Sequence, residues 1–179
     1  MLLAWLPHPT KVTALWIYPI KGCRGFRVKK MRFDRAGPVY DRRWMIIDAA
    51  THKFMSQREK RDMALIVPKL NWADGLRVTA PGMEPLLVPE VLRTSPPTAN
   101  LITVSVWDDH VVAAVTNADC DEWFSKFLNH PVRLVRMLPP DQHQRALPAK
   151  HMPTGTGAED SQASFADGFP GEFLKEFMM

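Results

Sequence analysis

A short basic turn follows the first apolar segment of the chain. The turn 21–25 reads Lys-Gly-Cys-Arg-Gly and comes directly after residues 11–20, whose β-branched and aromatic side chains predict a buried strand. A lysine beside glycines suits phosphate recognition, because the ammonium supplies charge and glycines let backbone N–H groups approach an anion closely. The turn is therefore a candidate anion site, beginning with Lys21 and Gly22.

An arginine further along the chain offers the same chemistry. Arg42 follows Asp41, and a guanidinium fork can hold a phosphate while the neighbouring carboxylate orients it. For each cation, an ordinary salt bridge at the surface or at the edge of the core is the alternative interpretation.

The cysteines and histidines do not form a recognisable metal or catalytic motif. Cys23 lies between Lys21 and Arg24, two cations that could lower its pKa and make the thiol reactive. Cys120 falls on an apolar helical stripe, so we expect it to be buried and inert. The six histidines show no metal-ligand spacing on one element, and no serine lies in a nucleophile-elbow sequence. We assign no catalytic residue and no metal ligand.

The composition is that of a folded globular protein. The chain has 179 residues, enough for one ordinary domain, and its 46% hydrophobic and 23% charged residues are typical of folded globular proteins. No apolar run reaches the roughly 20 residues that cross a bilayer, and the two cysteines fit a reducing compartment, so we expect a cytoplasmic location, with mitochondrial association left open. The net charge is +4, and ten of the 23 basic residues lie in the first 43 positions, which favours an anionic partner.

Short strands separated by turns dominate the pattern. The alternation of apolar residues changes parity at Lys29 and Lys30, which predicts a bulge or a sharp bend of the kind that closes a barrel. The run 63–67 fits either a strand or one helical turn. Strands are predicted at 11–20, 25–34, 43–48, 53–57, 76–79, 86–88, 101–107, 111–115 and 132–137, with hairpins joining the third to the fourth and the seventh to the eighth.

One helix is predicted late in the chain. The apolar residues of 118–128 recur at helical spacing, and Thr116 or Asn117 can cap the helix. Many strands, one helix and no strand-helix alternation indicate a mainly β fold class, an antiparallel and barrel-like domain with the helix plugging one end and only a minor α+β character.

Four regions follow from these patterns. We expect an N-terminal extension at 1–10, the β-barrel domain at 11–137, a disordered linker at 138–163, and a segment at 164–179 that regains apolar residues. The stretch 90–100 holds two adjacent prolines and little apolar content, and it is predicted to be a surface loop.

Seven stretches, in their order and spacing, resemble one family. They are 15–25 (LWIYPIKGCRG), 41–48 (DRRWMIID), 54–58 (FMSQR), 63–70 (MALIVPKL), 106–109 (VWDD), 123–135 (WFSKFLNHPVRLV) and 164–170 (SFADGFP). The chain resembles the MOSC-domain proteins, which include the mitochondrial amidoxime-reducing component and bacterial YcbX-like proteins. The resemblance covers the predicted barrel as that family's amino-terminal domain, and it implies that the last segment is the truncated start of a catalytic MOSC domain.

The resemblance implies a molybdenum cofactor, a pterin whose phosphate is held by basic side chains. It carries the cofactor-binding role to Lys21, Gly22, Arg42 and Arg58. Gly22 departs from the Lys-Ser pair of the family and removes a hydroxyl donor. The cysteine that binds the metal in the family lies beyond the end of this chain, so we expect the chain alone to be inactive and not to hold the cofactor stably.

The resemblance also implies a reaction and a partner. The reaction is reduction of N-hydroxylated compounds, with electrons from a haem or flavin protein, and the alternative is a non-catalytic β-barrel module that binds an anion or a protein partner. A nucleic-acid partner is not favoured. It would require Trp16, Tyr18 and Phe26 to be exposed stacking platforms, whereas their positions in strands predict burial.

Overall fold

Short strands are the main secondary structure of the described residues, as the sequence predicted. The computed structural model describes residues 11–34, 37–71, 75–89 and 100–138. Its strands are β1 (Leu15–Ile17), β2 (Ile20–Lys21), β3 (Phe26–Val28), β4 (Phe33–Asp34), β5 (Gly37–Pro38), β6 (Trp44–Asp48), β7 (Val67–Asn71), β8 (Gly75–Thr79), β9 (Leu86–Pro89), β10 (Leu101–Val106), β11 (Asp109–Val115) and β12 (Val132–Met137). A 3-10 helix (Arg61–Leu65) and, within these residues, a single α-helix, α1 (Ala118–Leu128), complete the elements. The mainly β fold class with one late helix is confirmed.

Four sheets organise these strands. The largest has five strands in the order β10-β11-β12-β6-β2, and its pairs are antiparallel except for β2 and β6, which run parallel. The three-stranded antiparallel sheet β7-β8-β9 and the pairs β1-β3 and β4-β5 account for the other described strands. The end of the first apolar segment therefore lies at one edge of the largest sheet.

Strand β6 is buried on both faces. Trp44 and Ile46 belong to the larger of two hydrophobic clusters, and Met45 and Ile47 belong to the smaller, as the alternation of side chains along a strand requires. None of the four is more than 6% exposed. Coverage of both faces explains why this strand is a continuous apolar run rather than an alternating one.

Helix α1 packs on the larger cluster. The Asn117 side chain caps the helix by accepting a hydrogen bond from the Cys120 N–H at 2.9 Å, and Asn129 ends it in a left-handed conformation. Trp123 is buried, and its indole N–H donates to the Glu84 carbonyl at 2.7 Å. The predicted helix bounds are confirmed, and Asn117 is the cap of the two candidates.

The first apolar segment departs from the prediction of one buried strand. β1 covers only three of its residues, and after Pro19 the chain enters β2, which belongs to a different sheet. Trp16 is 49% exposed and Tyr18 is 37% exposed, so their predicted burial is wrong. The reason is that β1 pairs only with β3 among the described strands, and a two-stranded ribbon exposes one face to solvent.

A predicted bend and a predicted hairpin are both present. The chain bends at Lys29, directly after β3, where the parity of the apolar residues changes. The segments 101–107 and 111–115 belong to the predicted hairpin, but its turn is Trp107-Asp108 and not residues 108–110, because Val106 pairs with Asp109.

Two other segments are more irregular than their sequences suggested. The run 63–67 is divided between the 3-10 helix and β7. The hairpin predicted between 43–48 and 53–57 is reduced to one antiparallel bridge between Ile47 and Phe54.

The predicted extension 1–10, the loop 90–99 and everything from residue 139 onward lie outside the described residues. In the part of the chain that is described, no helix has the length and apolar character needed to cross a membrane.

Asp48 and His130 join the end of β6 to the end of α1. One Asp48 oxygen accepts hydrogen bonds from the N–H groups of Ala50 and Thr51 and from the Thr51 hydroxyl, and the other lies 2.7 Å from His130 Nε2. The His130 contact, followed by the Thr51 and Ala50 donors, holds the pKa of Asp48 far below its ordinary value.

We expect Asp48→Asn to lower the urea midpoint of unfolding at neutral pH. The folded-state pKa of Asp48 is depressed, so the carboxylate stabilises the fold above its unfolded-state pKa of about 3.9, and this contribution is lost progressively as the pH falls below that value. Urea titrations should therefore give a larger gap between wild type and variant at about pH 7 than at about pH 3. Glu122→Gln, an exposed change on α1, is the matched control, and an equal gap at both pH values would contradict the assignment.

Candidate functional site

Hydrogen bonds to Tyr18 and the pairing of β2 with β6 bring two of the predicted cations into the same part of the fold. Asp41 Oδ1 accepts a hydrogen bond from the Tyr18 N–H at 2.8 Å, and the Arg42 N–H donates to the Tyr18 carbonyl at 2.7 Å. β2 then runs parallel to β6, with Lys21 opposite Met45. Arg42 therefore approaches from the start of β6, and Lys21 from the end of β2.

Lys21 and Arg42 are close enough to repel each other. Burial is the main reason that the pKa of Lys21 is lowered from its ordinary value, the positive charge of Arg42 is the second, and the Glu59 carboxylate opposes both. The Arg42 side chain is 59% exposed, pairs with Asp41 and lies 5.3 Å from the centroid of the Tyr18 ring. A second positive charge beside a partly buried ammonium favours the binding of an anion.

Two aromatic rings that the sequence reasoning missed also contact Lys21. Its Nζ lies 4.0 Å from the centroid of the Phe54 ring and 5.8 Å from that of Trp107, and the two rings meet edge to face at 4.7 Å. Phe54 reaches this place because its N–H donates to the Ser105 carbonyl at 3.0 Å, beside the end of β10. The sequence offered one signal, since both rings fall in stretches that carry the family resemblance.

Gly22 is required by its backbone and by its packing. Its φ is +81°, which favours glycine, and a Cβ at this position would lie 2.8 Å from the terminal methyl of Met63. Its carbonyl accepts a hydrogen bond from Gln57 Nε2 at 2.7 Å. A serine, as in the resembling family, would be strained on this backbone.

Two backbone donors of the basic turn are used inside the protein. The Cys23 N–H donates to the Ile20 carbonyl at 3.1 Å, and the Arg24 N–H donates to the Ile66 carbonyl at 3.0 Å. The sequence pattern had suggested that N–H groups of this turn would face an anion. At these two positions they instead hold the turn against the 3-10 helix and β2, so these two N–H groups are not available to an anion.

Arg58 lies in a turn that is tied to Gly22. The Glu59 carboxylate accepts hydrogen bonds from the Ser56 N–H and hydroxyl, both at 2.9 Å, and Gln57 links this turn to the Gly22 carbonyl. Arg58 itself is exposed and makes no hydrogen bond or ion pair with other described residues. Its assignment as a cofactor ligand, like those of the other three residues, stays a prediction.

Gly25 leaves room for an aromatic ring. A Cβ on Gly25 would lie between 2.5 and 2.8 Å from three ring atoms of Tyr18. The absence of a side chain thus lets the ring lie against the turn, where Arg42 contacts it. Gly25 therefore permits close packing of the Tyr18 ring. The sequence had instead suggested a close approach of the Gly25 backbone to an anion.

Both cysteines are buried. Cys23 is 3% exposed and Cys120 is 0% exposed, and burial raises the pKa of both thiols. Cys23 is not activated by its neighbours in sequence, because its side chain packs in the larger cluster and desolvation of the thiolate raises its pKa. The expected burial of Cys120 is confirmed. No three His, Cys, Asp or Glu side chains of the described residues are grouped to hold a metal ion.

The comparisons define the class of protein. Residues 9–131 match the family described as the MOSC N-terminal beta barrel domain, and the chain belongs to that family. Human molybdenum cofactor sulfurase is 30% identical over 144 residues, which cover 80% of this chain and 16% of that protein. Mitochondrial amidoxime reducing component 2 of Rattus norvegicus is 35% identical over 88 residues, which cover 47% of this chain and 25% of that protein. The matched part of the chain thus spans a quarter or less of these relatives.

A solved structure aligns with part of the chain. The solution structure of a protein from Bordetella bronchiseptica aligns with a TM-score of 0.48 and 18% identity, over 66% of this chain and 93% of that one. A likeness at this level adds no argument about function. The family resemblance seen in the sequence is confirmed by the domain match and by the two relatives.

We expect neither thiol to react with iodoacetamide in the folded protein at about pH 8, because burial keeps both thiols protonated and inaccessible. Intact-protein mass spectrometry should show no added mass under native conditions and two additions in denaturing urea. Labelling of Cys23 in the native protein as fast as in the unfolded chain would contradict its burial.

We expect Gly25→Ala to lower the free energy of unfolding by about 1–3 kcal/mol, the usual cost of overpacking, because the new methyl group overlaps the Tyr18 ring. In a Tyr18→Ala background the same substitution should cost much less, since the ring is absent. Urea unfolding of the four proteins gives the coupling between the two positions. A cost that is the same in both backgrounds would show that the ring is not the cause.

Proposed function

We propose that Lys21 and Arg42 bind the phosphate group of a molybdenum cofactor, and that this domain is the β-barrel part of a molybdenum-cofactor oxidoreductase. The observation that carries the proposal is the placement of the two cations: the Arg42 N–H donates to the Tyr18 carbonyl at 2.7 Å, and Lys21 follows Tyr18 by three residues, where β2 pairs with β6. An anion that contacts both cations would relieve the repulsion between them. Phosphate fits such a site because it combines negative charge with several acceptor oxygens.

The two cations would act in different ways. Arg42 presents a planar donor fork from an exposed position, and the Asp41 carboxylate fixes its direction while also accepting the Tyr18 N–H. Lys21 is a compact charge whose ammonium rests against Phe54. A bound anion stabilises the charged form of Lys21 and would therefore raise its pKa.

The relatives support a cofactor of this type. One is named for the molybdenum cofactor, and the other is named for the reduction of amidoximes, which are N-hydroxylated compounds. For this domain we propose the second chemistry, a contribution to the reduction of N-hydroxylated substrates with electrons from a haem or flavin protein. The cofactor, when bound, supplies the redox chemistry of its metal. The residues of this chain hold its phosphate and orient it.

The described residues offer charged contacts to one end of such a cofactor. We therefore expect this chain by itself to bind it weakly and not to catalyse the reaction. The alternative function is a non-catalytic module whose cations bind another anion or an acidic partner. The two functions differ in what the protein carries when it is purified from cells that make the cofactor, because only the first predicts associated pterin.

We expect Lys21→Gln and Arg42→Gln each to weaken the binding of inorganic phosphate about tenfold or more, because a charge-assisted hydrogen bond is worth about 1.5–3 kcal/mol. The shift of the Gly22 amide resonance during a phosphate titration at low ionic strength measures the affinity. Arg58→Gln tests the third predicted cation in the same way. Lys69→Gln, which removes an exposed lysine from β7, is the matched control and should leave the affinity unchanged.

Mass spectrometry of protein purified from cofactor-producing cells provides a second measurement. Wild type should carry pterin at less than one per chain, and the Lys21→Gln, Arg42→Gln double variant should carry less still. Phosphate binding that survives both substitutions would overturn the proposal. Phosphate binding without any pterin in the wild type would favour the anion-binding module.

A further inference from the structure

The tip of the β10-β11 hairpin presents a large aromatic ring to solvent near the Lys21 ammonium. Trp107 is 65% exposed, although it contacts Phe54 at one edge. The Lys21 ammonium lies against Phe54 at 4.0 Å and is 5.8 Å from the Trp107 centroid, which is short enough for one small molecule to reach both the ammonium and the indole. Most of the indole surface stays open to a ligand.

The backbone at Trp107 gives an independent reason to ask what this ring does. Its φ is +55°, in the left-handed region, which glycine and asparagine adopt readily and in which a bulky residue is strained. The residue occupies the first position of the two-residue turn between Val106 and Asp109, where hairpins ordinarily place asparagine or glycine. Turn geometry and solubility both disfavour tryptophan here. Strained, exposed residues of this kind concentrate at binding sites.

We infer that Trp107, supported by Phe54, is a stacking platform for the planar heterocycle of a phosphate-bearing ligand whose phosphate is held by Lys21 and Arg42. The inference rests on the proposed function, and it adds a second contact that recognises the ring rather than the charge. An indole face attracts any flat π-system, so the shared chemistry is a heterocycle with a phosphate attached. A pterin phosphate and a nucleoside monophosphate both meet that description.

The arrangement separates two contributions to affinity. Charge attraction by Lys21 and Arg42 acts on every phosphate compound and weakens with salt. Stacking on Trp107 acts only on compounds that carry a ring and is much less sensitive to salt. A ligand that uses both should bind more tightly than inorganic phosphate, and the difference in affinity should disappear when the indole is removed.

Isothermal titration of inorganic phosphate, neopterin monophosphate and guanosine monophosphate tests the inference. We expect the better of the two ring compounds to bind wild type about tenfold more tightly than inorganic phosphate, which is the scale of one stacking contact. Trp107→Asn removes the ring and places a residue that suits the turn, so the fold should be retained. This variant should lose the tenfold gain and keep its affinity for inorganic phosphate.

Two variants serve as controls. Trp107→Phe keeps an aromatic face and should retain most of the gain. Val112→Ala removes an exposed apolar side chain from the same hairpin and should change nothing. Tighter binding of neopterin monophosphate assigns the platform to a pterin, and tighter binding of guanosine monophosphate assigns it to a nucleotide. Either result supports stacking.

Failure of the inference differs from failure of the proposed function. If ring compounds bind wild type no better than inorganic phosphate, or if Trp107→Asn leaves the gain intact, the platform is refuted while the phosphate site stands. If inorganic phosphate and both ring compounds do not bind, or bind equally well to Lys21→Gln, the phosphate site is refuted together with the inference built on it.

Discussion

The candidate site depends on the burial of strand β6. Because both of its faces are covered, its backbone groups need partners on both edges, and β12 and β2 supply them. β2 is only two residues long, so the hydrogen bonds between Tyr18 and the Asp41-Arg42 pair extend the attachment. The same bonds that satisfy a buried strand bring the cation at the end of β2 beside the cation that precedes β6.

Two carboxylates then set how much positive charge the site retains. Asp41 divides its oxygens between the Arg42 side chain and the Tyr18 N–H, and Glu59 is engaged with Ser56 while it raises the pKa of Lys21 from a distance. Neither carboxylate forms an ion pair with Lys21 among the described residues. Arg42 is thus compensated by its ion pair with Asp41, whereas the fold restrains Lys21 without an ion pair, which keeps the field around this ammonium favourable to an anion.

The parts of the fold that follow from local pattern could be predicted, and the parts that depend on distant contacts could not. The bounds of α1 and β12 follow from continuous periodicity and clear caps. Nothing in the sequence of residues 11–20 indicated that β1 and β2 join different sheets. Trp16 is exposed because β1 belongs to a two-stranded ribbon. The family resemblance indicated the cations but not the aromatic rings around Lys21. Phe54 and Trp107 meet because a bridge joins Lys53 to Ser105, and this long-range contact leaves no signal in the sequence around either ring. The cations on either side of Cys23 in the sequence suggested a thiol with a lowered pKa. Its side chain instead points into the core, which the sequence did not indicate.

The position of β6 in the sheet also has a consequence during synthesis on the ribosome. Val132 pairs with Asp48, so the strand that completes one edge of β6 leaves the exit tunnel long after β6 itself. Until then the nascent chain carries four consecutive apolar residues on a strand with one open edge, which is the kind of segment that chaperones bind and that associates with other chains. Translation that stops before β12 leaves β6 without this partner, so the support of the candidate site depends on synthesis of a distant part of the domain.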